Sequence, residues 1–290
     1  MTDTLVTATA VPRLARRRRR ALPPILVLAA FLVAAAVVVM GIFGHLIAPQ
    51  NPNTQNLAEP LAGPSSAHLL GTDALGRDVF SRLIVGTRTA LVGPLVIAAG
   101  SVIFGNLLGL LAGYRGNLTD SVIMRWVDFM WALPALLVII VVAGALNSGY
   151  WVAVGLLLLL SIPYDARITR AATLEQVQRP YVEAARTLGL SDRRVMFFHV
   201  WPNVSTITIP NAFLDFAGAL VALSTLSFLG LGSPPGTPDW GLMVAEGQDL
   251  LFTNPIGVLA PCAMIVLAAM SMNLIGDWLH ERLASRGATR

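Results

Sequence analysis

Residues 129–164 read FMWALPALLVIIVVAGALNSGYWVAVGLLLLLSIPY, and none of these side chains is charged. A helix needs about 20 mostly apolar residues to cross a bilayer, so the stretch is long enough for most of two crossings. Leu146-Asn147-Ser148-Gly149 near its middle has the composition of a turn. Two helices joined there fit if the third span of the chain begins before Asp128, near Val122, and the fourth runs to about Tyr164. Four further uncharged or nearly uncharged stretches flank this pair, at about 22–47, 90–112, 205–231 and 254–275. The expected fold is an all-α membrane protein with six transmembrane helices.

Composition agrees. Of the 290 residues 55% are apolar and 12% charged, with a mean hydropathy of +0.69, whereas soluble domains carry roughly 25% charge. Too little polar surface is left to cover a water-soluble globule. Cys262 is the only cysteine, which excludes an internal disulfide framework. Every basic residue besides histidine is an arginine, so the chain has no P-loop lysine and no Schiff-base lysine. Any ATP chemistry must come from another polypeptide. His45, His68, His199 and His280 are scattered without metal-ligand spacing, so no metal site is expected.

Arginine in short loops sets orientation. Arg13 and Arg16 to Arg20 precede the first span and place the N-terminus in the cytoplasm. The same block before an apolar run is also the pattern of a secretory signal peptide, but the run exceeds the ~7–15 residues of such a region, and a span is expected. With six crossings the inner segments hold Arg115, Arg125, Arg167, Arg170, Arg179, Arg186, Arg193, Arg194, Arg282, Arg286 and Arg290. The last outer loop, 232–253, holds no arginine. The first outer loop breaks the rule with Arg77, Arg82 and Arg88. The chain thus divides into a basic cytoplasmic tail at 1–21, a transmembrane domain at 22–278 and a cytoplasmic tail at 279–290. The arginine block is a topology anchor attracted to anionic lipid, and nucleic-acid binding is not expected.

Segment 165–203 reads as a pair of short helices on the cytoplasmic surface. Residues 181–188 spell YVEAARTL, Gly189 suits a helix stop, and Ser191 or Asp192 can cap the next turn. Taken alone this is an ordinary amphipathic surface helix. The order of its parts says more: Glu183, Ala184, Ala185, then Gly189, then His199-Val200-Trp201-Pro202 resembles the EAA loop of bacterial ABC-importer permeases. Two further stretches resemble the dipeptide and oligopeptide branch of that family. Gly71-Thr72-Asp73, Gly76-Arg77-Asp78, Ser81-Arg82, Gly86 and Arg88 follow a GTDxxGRDxxSRxxxGxR pattern. Residues 226–232, LSFLGLG, precede Pro234-Pro235 and Trp240-Gly241. Many relatives place a glutamate where this chain has Leu223.

The resemblance implies a type I importer permease fold and the C-type subunit of a bacterial inner-membrane importer. The chain itself would bind no cofactor and catalyse nothing. Its partners would be a B-type permease, an extracytoplasmic substrate-binding protein and two ATP-binding subunits that hold ATP and magnesium. Glu183, Ala184, Ala185, Arg186, Leu188 and Gly189 would form the coupling surface, with the alanines permitting close approach and the charges fixing register. Asp73, Arg77, Asp78 and Arg82 would form either an outer docking surface or a capped, salt-paired entry into the second span. Asn211 and Asp215 lie on one helix face and would either line the translocation path or contact the partner permease. Asp128 is expected near a span end, paired with Arg125 or solvent. The cargo within the class stays open between peptides, nickel chelates, glutathione and haem. A self-sufficient secondary transporter is the alternative, although it calls for an inverted repeat and a coupling acid cluster that the sequence does not display.

Overall fold

A computed structural model describes residues 24–145 and 149–287, with side chains to residue 284. The elements are α1 (Pro24–Ile47), α2 (Val79–Arg115), α3 (Asn117–Ala132), α4 (Ala135–Ala145), α5 (Tyr150–Val177), α6 (Pro180–Thr187), α7 (Asp192–Val195), α8 (Trp201–Phe228), α9 (Trp240–Gly247) and α10 (Ile256–Gly287). A π-helical turn, Met196–Val200, joins α7 to α8, so that Asp192–Phe228 forms one 37-residue rod. Among the described residues no β-strand occurs, only an isolated bridge between Thr72 and Asp78. Five helices are long and apolar enough to cross a membrane, and α3 with α4, bent at a break, brings the number to six if the pair is one span.

The break is an 81° bend at Leu133-Pro134. Proline has no N–H to donate, and its ring clashes with the preceding turn. The residue before it is pushed out of the helical region, and Leu133 accordingly has extended backbone, φ −84° and ψ 129°. The third span, expected as one helix, is therefore two. The turn expected at Leu146-Asn147-Ser148 lies outside the described residues, as do the arginine block Arg16 to Arg20 and Arg290; Arg286 falls beyond the described side chains.

A second difference concerns length. Helix α2 starts at Val79 rather than near Ala90, and α5 runs on past Tyr164 to Val177. Only α6 is a separate short helix in 165–203; the first part belongs to α5 and the last enters the α8 rod. The reason is the seam between α2 and α5. Gly105, Gly109 and Gly113 recur every fourth residue on one face of α2, and α5 presses against them. A Cβ on Gly105 would sit 2.4 Å from the Asp165 Cβ, one on Gly109 2.4 Å from the Ala166 carbonyl oxygen, and one on Gly113 2.7 Å from the Thr173 Cβ. Small residues let two backbones approach closely where van der Waals packing, not water exclusion, drives helix association. Asp165, Thr169 and Thr173 are buried in this seam, so polarity does not end the helix there.

Around that pair, α8 packs on α2 and α5, α10 on α8, and α1 on α2 and α10. One core gathers Val37, Leu83, Phe216, Leu220, Trp240 and Ala268 from five helices. Trp240 anchors it, donating its indole N–H to the Leu83 carbonyl at 2.9 Å. The bundle has an elbow end, where α6 lies, and a loop end, built from 48–78 and 229–255.

Gly109→Ala is expected to lower the thermal midpoint in detergent, because the added methyl must push α5 away, a strain of about 1–3 kcal/mol. Gly155→Ala adds a Cβ with nothing within 4 Å and is expected to leave the midpoint unchanged or raise it. Equal melting of the two variants would refute the seam.

Candidate functional site

The elbow is built from α6. Pro180 occupies its first turn, where the missing N–H is not needed. Val182 and Ala185, three residues apart, face the bundle and pack among Leu110, Tyr114, Val195 and Val200. The helix ends in a Schellman turn, in which Leu190 N–H donates to Ala185 O at 3.2 Å and Gly189 N–H to Arg186 O at 2.9 Å. Gly189 adopts φ +75°, the left-handed region that favours glycine. Its Cβ position is open space, so a larger side chain there would strain the backbone and project outward.

Of the six residues expected to face a partner, the structure turns most outward and one inward. Glu183, Ala184, Leu188 and Gly189 are exposed, Leu188 by 80%. Arg186 is exposed but held over the Tyr114 ring at 5.1 Å, and the Tyr114 hydroxyl donates to Asp192 at 2.8 Å. Ala185 is only 5% exposed and packs against its own bundle. Ala185 falls three residues after Val182 on the narrow inner stripe of this amphipathic helix, whereas Ala184 falls on the broad outer face beside Glu183. Nearby Phe198 is 75% exposed, which gives the elbow end an apolar knob beside the exposed stripe of α6. Partial burial lifts the Tyr181 phenol above its ordinary value against an opposing hydrogen bond from Asn203, so it remains a neutral donor to Gln176 at 2.9 Å.

Between the spans lies a polar cluster. Asn211 Nδ2 donates to Asp165 Oδ1 at 3.0 Å and to the Asp215 carboxylate at 3.2 and 3.3 Å, and the Ser101 hydroxyl donates to Asp165. Asn211 and Asp215 are thus brought together as the helical spacing predicts. Asp215 also lines a cavity of about 400 Å³ with Trp131, Ser161, Tyr164 and Gly218. Of the cluster only Asp215 reaches that space, where Ser161 and Tyr164 add hydroxyl groups, a lining able to meet a polar group. Asp165 escapes a reading that ends the fourth span at the first charge. The signal available is the ladder Asp165, Thr169, Thr173 opposite Ser101, Gly105, Gly109, Gly113, both at four-residue spacing.

Asp128 does not pair with Arg125. It accepts from Arg167 of α5 at 2.7 Å, and the same guanidinium stacks 4.3 Å from the Trp131 ring. The bend between α3 and α4 holds Trp131 and Asp128 alongside α5, which sequence spacing could not reveal.

At the loop end, Asp73, Arg77, Asp78 and Arg82 are joined by an unpredicted fifth residue, Glu246 of α9. Arg77 Nε donates to Asp73 at 2.6 Å and its Nη2 to Glu246 at 2.7 Å. Arg82 Nη2 donates to the same Glu246 oxygen at 2.8 Å. Asp78 caps α2, accepting from Ser81 N–H at 2.8 Å, and meets His68 Nδ1 at 3.0 Å. Both arginines and Asp78 are buried. Their charges are directed inward, where they clamp the first loop to α9.

Residues 105–287 match the family described as binding-protein-dependent transport system inner membrane component. The chain belongs to this family. It is similar to the di/tripeptide transport system permease protein DppC of Pseudomonas aeruginosa, 40% identical, with 83% of this chain and 82% of that protein covered. It is similar also to the dipeptide permease DppC of Haemophilus influenzae, at 36% with 84% and 85% covered. A third relative is the glutathione transport system permease protein GsiD of Pectobacterium atrosepticum, at 38% with 76% and 73% covered. The chain is therefore a multi-pass membrane permease with the type I importer permease fold, a transport component rather than an enzyme.

Glu246→Ala is expected to lower stability by about 3 kcal/mol, near the bottom of the range for breaking a buried ion pair, because Glu246 is 26% exposed. Glu246→Gln, which keeps an acceptor, is expected to lose less. Thermal unfolding in detergent reads both, and an unchanged midpoint for the alanine variant would refute the clamp.

Proposed function

We propose that this chain is the C-type permease subunit of an ATP-driven importer of dipeptides and oligopeptides. In this reading it pairs with a related B-type permease to enclose the path. Two cytoplasmic subunits bind ATP with magnesium and hydrolyse it, and an extracytoplasmic binding protein delivers the cargo. This chain binds no cofactor. The observation that carries the reading is the elbow: a short helix fixed to the bundle by Val182 and Ala185, with Glu183, Ala184 and Leu188 facing out. A rigid projection of this kind can seat in a groove of a cytoplasmic subunit and transmit its closure as motion of one permease half against the other.

The elbow end and both termini lie in the cytoplasm in this reading. Arg115, Arg179, Arg186, Arg193 and Arg194 cluster at that end, as the positive-inside rule favours. The loop end then faces outward, and the surface over the Asp73, Arg77, Asp78, Arg82 and Glu246 clamp receives the binding protein. Asn211 and Asp215 line the path and meet polar groups of the cargo. Peptide cargo is favoured by the names of the relatives. Glutathione is itself a short peptide, so the glutathione permease relative points to the same chemistry.

Gly189→Arg and Glu183→Arg are expected to leave the chain in the membrane while abolishing substrate-stimulated ATPase of the assembled complex. A mild-detergent pull-down with mass spectrometry is expected to recover a second permease and P-loop ATPases with the wild type and to lose the ATPases with Gly189→Arg. Normal uptake by that variant, or a chain that purifies alone, would overturn the assignment.

A further inference from the structure

A groove of about 690 Å³ runs between α1, α2, α8 and α10, away from the polar cluster and the elbow. Its walls include Ile42, Leu91, Leu95, Ala99 and Phe213, and every lining residue is apolar or glycine except one. That exception is Arg88, at the end of the groove nearest the loop end.

Arg88 differs from the other arginines of its segment. Arg77 and Arg82 are buried in the clamp with Asp73 and Glu246. Arg88 is exposed, and among the described residues nothing hydrogen-bonds or ion-pairs with it. Its neighbour Thr89 donates to the Pro238 carbonyl of the last loop at 3.2 Å, and the Thr89 carbonyl accepts from Tyr150, the first residue of α5. This turn of α2 thus lies where the helices meet the last loop and the start of α5. From Arg88 to Ala99 the groove follows α2 for roughly 16 Å, at about 1.5 Å per residue. That is about half of a hydrocarbon core of about 30 Å, the depth of one leaflet.

We propose that this groove is a binding site for one anionic phospholipid, with the phosphate on Arg88 and an acyl chain lying along Leu91, Leu95 and Ala99. Guanidinium and phosphate match in geometry as well as charge, so an arginine at the mouth of an apolar groove between transmembrane helices is suited to a lipid phosphate. The site commits to a lipid rather than a partner helix because a lone cation above an apolar trough of one-leaflet depth is the complement of a headgroup joined to its tail. The orientation proposed above decides only that the leaflet is the outer one.

The test uses the full chain purified in mild detergent, titrated with phosphatidylglycerol and read by native mass spectrometry. The wild type is expected to retain one lipid per chain. Arg88→Gln is expected to weaken retention about five-fold, the worth of one arginine at an anionic headgroup, and Arg88→Lys to keep most of it. Ala99→Phe, which fills the trough and leaves the charge, is expected to abolish retention with an unchanged melting point. Retention unaffected by Arg88→Gln would overturn the headgroup assignment, and retention unaffected by either variant would overturn the site. Loss of a co-purifying permease from Ala99→Phe, without loss of lipid, would make the groove a subunit seam and refute the proposal.

Discussion

The seam between α2 and α5 is the constraint on which the rest of the structure depends. Three glycines at four-residue spacing bring the backbones so close that a single methyl at Gly109 would overlap a carbonyl oxygen of α5. In a bilayer, where lipid tails are as apolar as leucine, such intimate packing is what gives two helices reason to stay together. The seam then fixes the depth of Asp165, and through Asn211 it fixes the position of Asp215 on α8. It also fixes Tyr114, the last buried aromatic of α2, which carries Arg186 of the elbow on its ring. The polar cluster and the elbow are thus two readouts of one helix pair.

The loop end is held by different physics. There a carboxylate of α9 receives two guanidinium groups and an indole N–H reaches the α2 backbone, so the short helix Trp240–Gly247 is pinned by hydrogen bonds at both ends. The two sequence signatures in 71–88 and 226–241 meet at this place. Gly86 lies against the Pro238 backbone and Gly241 against Ser224. Much of what makes those stretches recognisable is interior packing and ion pairing.

Spans are legible in the sequence because uncharged length is a strong signal, and the elbow is legible because Gly189 stops its helix and Ser191 or Asp192 can cap the next turn. Three things are not. Ending a span at the first charge hides the run of α5 to Val177, since Asp165 is satisfied by Ser101 and Asn211 across helices and leaves no local trace. The bend at Pro134 is readable as a kink, but its size depends on what α3 packs against. Glu246, far from Arg77 and Arg82 in sequence, is joined to them only by the fold. The inward turn of Ala185 is available in principle, because Val182 and Ala185 are spaced as one helix face, whereas the pairing of two alanines signals composition and carries no direction.

The rod Asp192–Phe228 has a mechanical consequence. It holds 37 residues in one unbroken element. At about 1.5 Å per residue that is roughly 55 Å, longer than the bilayer is thick. In a rod of that length a push at Asp192 would arrive at Phe228 as a tilt, as in a lever, with the contact of Asn211 to Asp165 of α5 as its fulcrum. The π turn at Met196–Val200 is the place where the rod departs from regular pitch, and it lies between the point of effort and the fulcrum. Together with Pro210, whose missing N–H also interrupts the ladder, that turn would divide such a displacement between tilt delivered to the far end and twist absorbed along the way.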